Sequence, residues 1–150
     1  YEMLRSLVGS EMCIRDSTMP SDYAGLVLIG GMQWQSPEAE RIFPIVQDAF
    51  EKGRVIGGIC NAASFLCAHG FLNHVKHTGN TLAVLKQWGG ERYTNEDGYL
   101  EKQAVGDKNI VTANGTGYLE FTRELLLALK ADTQEKIEAF YDFSKNGLVR

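Results

Sequence analysis

A cysteine at the junction between a predicted strand and a predicted helix is the residue of this chain best suited to chemistry. The stretch RVIGGICNAASFLCAHG, residues 54–70, carries a hydrophobic run into Cys60 and continues with small residues that fit a tight turn into a helix. Such a turn projects its side chain above the carboxyl edge of a parallel sheet, where the amides and dipole of the helix favour a thiolate. The pattern predicts that Cys60 is a nucleophile or an oxidisable thiol, and a buried structural cysteine is the alternative.

Two glycines end an earlier hydrophobic run and would serve the same chemistry. They are Gly30 and Gly31 in the stretch LIGG. Glycines at this place present bare N–H groups, and one of these together with the amide of Asn61 would stabilise the oxyanion that forms when a thiolate attacks a carbonyl. A tight turn after a strand also needs glycine for steric reasons, so the pair is not specific on its own.

The number and spacing of the cysteines argue against two common structural roles. Cys13, Cys60 and Cys67 match neither a disulfide framework nor a paired CxxC zinc site, so we expect no metal and a reducing, cytoplasmic location. Cys67 follows in the body of the predicted helix among apolar residues, and we expect it to belong to the core.

Strand and helix patterns alternate through the first half of the chain and position these residues. DYAGLVLIGG, residues 22–31, predicts a buried strand, and SPEAERIFPIVQDAFEKG, residues 36–53, predicts a helix with Ser36 as N-cap and Gly53 at its end. Pro44 should kink this helix or split it in two. The stretch around the cysteine adds a second strand and a short helix, and this alternating order predicts a parallel α/β sheet.

The second half of the chain adds elements of the same kind. A brief helix in TLAVLKQW precedes two strands, residues 99–105 and 109–113, which the turn GDKN joins. A long amphipathic helix in GYLEFTRELLLALK comes next, and a last helix spans about residues 133–143, capped by Asp132 or Thr133.

Composition and charge exclude several classes of function. With 150 residues, of which 44% are hydrophobic and 23% charged, the chain fits one globular domain. Its net charge of −4 comes without a long basic run, and no apolar stretch approaches the roughly 20 residues of a membrane span. We therefore expect neither a nucleic acid nor a membrane as partner. We expect a small-molecule or peptide substrate and no cofactor, and a homodimer is left open.

The first seventeen residues, YEMLRSLVGSEMCIRDS, do not continue these patterns. They sustain neither a helical nor an alternating period, and LRSLVGSEMCIRDS resembles translated sequencing-adapter read-through. We therefore expect residues 1–17 to be non-native and residues 18–150 to form a single domain that lacks its first strand–helix unit. A genuine, divergent strand and turn at this end is the alternative.

Three blocks of the sequence, in this order, carry a family resemblance. They are DYAGLVLIGG, VIGGICNAASFLCAHGFLN and NIVTANGTGYLEFTRELLLAL, within about residues 22–130. They resemble the ThiJ/PfpI family of the class I glutamine amidotransferase-like superfamily, and the later stretches resemble its bacterial type 1 glutamine amidotransferase subgroup. The resemblance implies a flavodoxin-like α/β fold, a three-layer parallel sheet with helices on both faces, and Cys60 as the elbow nucleophile.

The histidines of this chain fit the family patterns only in part. His69, His74 and His77 are the only three, so the late His-x-Glu pair of the glutamine amidotransferases has no counterpart. Where other members have histidines, directly after the cysteine or about twenty residues later, this chain has Asn61 and Asn80. Asn80 is suited to bind a substrate carbonyl, but an amide is no general base. His77 is the remaining candidate for the base, and a loop histidine without a catalytic part is the alternative.

The resemblance also implies the chemistry. Family members often hold an acidic residue of their first helix against the sulfur, a position that would fall before residue 18 here. We expect a cysteine-dependent hydrolase or amidase that acts on a carbonyl or amide carbon of a small molecule or peptide. The alternative is a non-hydrolytic redox sensor, a deglycase-like protein or a protein-holding stress protein whose Cys60 becomes a sulfenic or sulfinic acid.

Overall fold

Short runs of branched and small apolar residues build the sheet at the centre of the fold. The computed structural model describes residues 21–148, and the sheet in this part of the chain has four strands: β1 (Gly25–Leu28), β2 (Val55–Ile59), β3 (Ala104–Asp107) and β4 (Ile110–Ala113). Their order is β1-β2-β4-β3, with β1, β2 and β4 parallel and β3 antiparallel to β4. Because β2 is buried along its whole length between two parallel neighbours, the residue after it emerges near the middle of the carboxyl edge.

Helices fill the stretches between and after the strands. The described residues contain five α-helices: α1 (Phe43–Glu51), α2 (Asn61–Ala68), α3 (Leu82–Gly89), α4 (Tyr118–Ala128) and α5 (Gln134–Asn146). Thr81 caps α3, since its hydroxyl accepts the N–H of Val84 at 3.1 Å. Thr133, one of the two predicted caps, does the same for α5, which runs three residues beyond its predicted end at 143.

The helix predicted for residues 36–53 is split, as Pro44 predicts. A 3₁₀-helix, Pro37–Ile42, comes first, and α1 follows with Pro44 in its first turn, where the missing N–H removes no helical hydrogen bond. Ser36 occupies the N-cap position of the 3₁₀-helix, although its side chain makes no capping bond within the described residues. Gly53, with φ 64°, follows the end of α1.

Helices cover both faces of the sheet. The helices α1 and α2 pack on one face, with α3 against α2, whereas α4 packs on the other face and α5 against α4. Two glycines of β2 admit this close approach: a Cβ at Gly57 would lie 2.7 Å from Leu125 of α4, and one at Gly58 would lie 2.7 Å from Leu66 of α2. The three-layer α/β architecture with a mostly parallel sheet is thus confirmed.

The hairpin of β3 and β4 is shorter than predicted. The strand β3 begins at residue 104 instead of 99, and its turn consists of Lys108 and Asn109 alone, because the first two residues of GDKN belong to the strand. The segment before β3 pairs elsewhere, since the N–H of Leu100 donates to the carbonyl oxygen of His77 at 2.8 Å. A backbone donor engaged in that loop is not available to the β4 ladder.

The expectations for the start of the chain lie outside the described residues. These are the non-native character of residues 1–17 and the lack of a first strand–helix unit. Among the helices found between residues 21 and 148, none combines the length and the apolar character that crossing a membrane requires.

Gly117, the N-cap residue of α4, provides a test of the packing around β3. A Cβ at this position would collide with the carbonyl oxygen of Gln103, and a backbone atom cannot turn aside as a side chain can. We expect Gly117→Ala to lower the free energy of unfolding by about 1–3 kcal/mol in a urea titration.

Gly31→Ala is the matched control for Gly117→Ala. Gly31 has an extended backbone and no atom within 4 Å of its Cβ position, so this substitution should change the free energy of unfolding by less than about 0.5 kcal/mol. Equal losses for the two variants would contradict the described contact.

Candidate active site

Cys60 forms the sharp turn between β2 and α2. Its φ of 60° and ψ of −129° lie in a region that non-glycine residues rarely adopt, at a cost on the order of 1–3 kcal/mol. The N–H of Cys60 donates to the carbonyl oxygen of Ala113 at 3.0 Å, which ties the turn to the end of β4. The thiol is free and half-buried, and it lies at the carboxyl edge of the sheet beside the first turn of α2.

Two glycines from neighbouring loops lie against this cysteine. A Cβ at Gly30 would lie 2.8 Å from the Cβ of Cys60, and one at Gly115 would lie 3.2 Å from its Sγ. Gly30 is among the predicted site residues. Gly115 is not, although its stretch TANGTG ends a predicted strand and therefore had to reach the same edge of the sheet.

The side-chain amide of Asn80 links two of these loops to the sulfur. Its Oδ1 accepts the backbone N–H of Gly115 at 2.9 Å, and this hydrogen bond determines the orientation of the amide group. Its Nδ2 therefore faces the turn and donates to the Sγ of Cys60 at 3.4 Å and to the Oδ1 of Asn61 at 3.3 Å. The sulfur is the acceptor in this contact, so the amide places the partial positive charge of its N–H group next to Cys60.

Asn61, the first residue of α2, extends this chain of hydrogen bonds to the loop after β1. Its Nδ2 donates to the carbonyl oxygen of Gly31 at 3.1 Å and lies 3.9 Å from the sulfur of the exposed Met32. The structure thus brings five predicted residues together: Cys60, Asn61, Asn80, Gly30 and Gly31. Like every helix, α2 leaves its first backbone N–H groups without partners inside the helix, next to this cluster.

His77 is not part of this cluster. Its side chain is fully buried, its Nδ1–H donates to the carbonyl oxygen of Val75 at 2.8 Å, and its Nε2 accepts the hydroxyl of Tyr93 at 2.7 Å. Burial lowers the pKa of His77 from its ordinary value and raises that of Tyr93, so the imidazole is neutral and both of its nitrogens are engaged. No hydrogen bond of the described residues joins His77 to Cys60.

The hydrogen bonds of the described residues join neither of the other two histidines to this cluster. His69 lies 3.2 Å from the Oε1 of Glu40 and packs against Phe43 and Phe65, with ring centroids 4.7 and 4.5 Å away. His74 is exposed on the loop after α2. Among the described residues, no group of His, Cys, Asp and Glu side chains has an arrangement that would hold a metal ion.

Cys67 belongs to the core, as its position in the helix predicts. Its side chain is fully buried, and the thiol donates to the carbonyl oxygen of Leu85 at 3.4 Å. Burial raises the pKa of Cys67 to about 12, so its thiol stays protonated at neutral pH. The two described cysteines thus differ in surroundings, since only Cys60 has an amide donor on its sulfur.

An open cavity of about 870 Å³ begins beside Asn80. Its lining is partly polar and partly apolar and comes from the loop before α3, the start of α3, the segment before β3 and the residue after β4: Gly79, Asn80, Thr81, Leu82, Ala83, Tyr99, Glu101, Lys102, Gln103 and Asn114. The volume lies in the range of small-molecule sites, and Asn80 borders both the cavity and the sulfur.

Comparison with known proteins gives this cluster a family context. The model of the DJ-1/PfpI family matches residues 4–128, a range that includes most of the segment 1–17. The uncharacterized protease YdeA of Bacillus subtilis is 40% identical over 128 residues, which make up 85% of this chain and 64% of that protein. The chain therefore spans slightly less than two thirds of the length of this relative.

Two crystal structures are similar to the fold. A thiJ/pfpI family protein from Bacillus anthracis has a TM-score of 0.75 at 31% identity, over 81% of this chain and 58% of that one. The DJ-1 superfamily protein Atu0886 from Agrobacterium tumefaciens has a TM-score of 0.73 at 33% identity, over 87% of this chain and 70% of that one. The resemblance carried by the three sequence blocks is thereby confirmed, and the chain belongs to the DJ-1/PfpI family.

Proposed function

We propose that this chain provides the site of a cysteine-dependent hydrolase or amidase, with Cys60 as nucleophile and a small molecule or peptide as substrate. The observation that carries the proposal is the orientation of Asn80. Because its oxygen is held by the N–H of Gly115, its amide donor faces the sulfur and stabilises negative charge there. The thiolate is the nucleophilic form of cysteine, and this amide donor is directed at the atom that carries its charge.

The reaction would pass through a thioester. The Cys60 thiolate adds to the carbonyl carbon, a C–S bond forms, and the electron pair of the C=O bond moves to oxygen. The backbone N–H groups of Gly30 or Gly31 and of Asn61 are the proposed donors to that oxyanion. When the intermediate collapses, the C–N bond breaks and the nitrogen leaves as an amine with a proton from water. The hydroxide that remains from this water then adds to the thioester carbon, the C–S bond breaks, and the acid and the thiolate are released.

In this proposal Asn80 positions and stabilises the nucleophile instead of binding the substrate carbonyl. Both of its polar atoms are already engaged, one by Gly115 and the other by Cys60 and Asn61. The substrate would lie in the adjoining cavity of about 870 Å³, whose lining of both polar and apolar groups suits an amide or a short peptide.

We assign His77 a structural part in place of the predicted role as base. A general base must have a free lone pair within reach of the proton that it abstracts. The Nδ1 of His77 is protonated towards Val75, and its Nε2 is occupied by Tyr93. The buried imidazole ties the loop that leads to Asn80 to the segment that carries Tyr93.

Asn80→Asp tests the donor on the sulfur. The carboxylate keeps an oxygen for the N–H of Gly115 but places a negative charge where the amide donated to Cys60. We expect iodoacetamide to alkylate Cys60 at least about tenfold more slowly at pH 7, as measured by intact mass.

Asn73→Asp is the matched control for this measurement. Asn73 also uses both atoms, donating to the carbonyl oxygen of Arg92 at 2.7 Å and accepting the N–H of Thr94 at 3.0 Å, but it has no contact with the sulfur. Its alkylation rate should equal that of the wild type. An unchanged rate in Asn80→Asp would remove the observation on which the proposal rests.

Cys60→Ser tests the nucleophile itself. A panel of peptide and small-molecule anilides, followed by release of the aniline, should show turnover that falls more than about a thousandfold in this variant. Cys67→Ser is the control and should retain turnover. Activity that survives in Cys60→Ser would contradict the proposal, and so would oxidation of Cys60 by peroxide without turnover of any substrate, which is the behaviour of the redox sensor.

The pH dependence of stability tests the structural part of His77. The unfolded residue takes up a proton near pH 6.5, whereas burial lowers the pKa of the folded residue. Below pH 6.5 the unfolded state therefore binds more protons, so the contribution of His77 to stability is complete above this pH and declines as the pH falls.

We expect His77 to make the free energy of unfolding fall by up to about 1.4 kcal/mol per pH unit as the pH drops below 6.5. Urea titrations from pH 7.5 to pH 5 should show a shallower slope in His77→Gln than in the wild type. His74→Gln, at an exposed position, should keep the wild-type slope. Equal slopes in the two variants would contradict the assignment.

A further inference from the structure

A second cavity lies at the opposite, amino edge of the sheet. It has a volume of about 250 Å³ and lies where β2 and β4 begin and where α1 and α2 end. Its apolar lining includes Phe50, Ile56, Phe71, Val75 and Ile110. Ile56, which lines it, lies four strand residues before Cys60, or about 13 Å at about 3.3 Å per residue, so the cavity is distinct from the proposed active site.

The rim of this cavity carries positive charge. Arg54 and Lys108 both line it, together with the exposed His74, and none of the described residues that line it is acidic. Lys108 is held over the rim by a turn backbone with φ 53° and by its Nζ, which donates to the carbonyl oxygen of His74 at 2.9 Å. One donor of the ammonium group is used in this way and two remain.

Arg54 offers a donor that the protein does not use. Its Nη2 pairs at 3.0 Å with Asp22, whose side chain is 89% exposed. Its Nε is buried and has no hydrogen-bond partner among the described residues. A buried N–H of a charged group without an acceptor is costly, and it marks a position where an acceptor from a ligand would be stabilising.

We propose that this cavity binds a small carboxylic acid with an apolar body. The apolar body packs against Phe50 and Phe71, whose rings contact each other with centroids 5.4 Å apart, and the carboxylate accepts from Arg54 and Lys108. Size supports an acid of one ring with a short arm, because a cavity of about 150 Å³ is enough for benzene alone. The rest of the volume, out of about 250 Å³, leaves space for the arm and the carboxylate.

Phenylacetate is the probe that tests this site in the full 150-residue chain. In a ¹⁵N–¹H correlation titration it should shift the amides of Gly53, Gly70 and Ile110 with saturation, and leave those of Gly30 and Gly115 in place. Phenylacetamide has the same ring without the charge, and acetate has the charge without the ring. Each should bind at least about tenfold more weakly than phenylacetate.

Arg54→Gln should weaken phenylacetate binding about tenfold and leave phenylacetamide binding unchanged. Arg41→Gln is the control at an exposed arginine that does not line the cavity. If Arg54→Gln unfolds, Lys108→Gln in the exposed turn makes the same test.

Three results would each overturn the proposal: equal affinity for phenylacetate and phenylacetamide, no loss of phenylacetate affinity in the variants, or amide shifts confined to Gly30 and Gly115. Cys60→Ser should bind phenylacetate as the wild type does, whatever becomes of the hydrolase.

Discussion

The left-handed backbone at Cys60 is the constraint on which the rest of the site depends. A strand buried between two parallel neighbours must turn into a helix within one residue, and a cysteine takes the positive φ that this turn requires. A Cβ at Gly30 would then clash with Cys60 and one at Gly115 would press on its sulfur, so both glycines follow from the turn and are not independent features. Asn61 follows as well, since the first residue of α2 must lie beside the loop after β1.

The amide network around the sulfur gives this turn its chemical character. A histidine next to a cysteine can accept the proton of the thiol, whereas the amide of Asn80 can only donate a hydrogen bond to the sulfur of Cys60. The N–H of Gly115 binds the oxygen of the same amide and so prevents a 180° flip of this group. The two ends of β2 therefore differ in their surroundings. Neutral amides lie around the sulfur of Cys60 at the carboxyl end, while two cations border an apolar cavity at the amino end.

The order of elements and the position of Cys60 could be predicted from sequence because both are local. Hydrophobic runs, Pro44 and the glycines after β1 and α1 describe neighbouring residues, and the structure agrees with them. The start of β3 and the place of His77 depend on which distant segments pair. The hydrogen bonds between the loop of His77 and the residues before β3 determine both, and no local pattern contains that information.

The contacts at the sulfur join parts of the chain that are far apart in sequence. Asn80 lies 20 residues from Cys60, Gly115 lies 35 residues from Asn80, and Gly31 lies 30 residues from Asn61. Contacts of such long range cost loop entropy and form only as the strands between them come together. A partly folded chain, in which the sheet has not yet assembled, therefore lacks the amide donor on the sulfur of Cys60. The surroundings of this sulfur require the assembled sheet, and they belong to the topology as a whole and to no single segment.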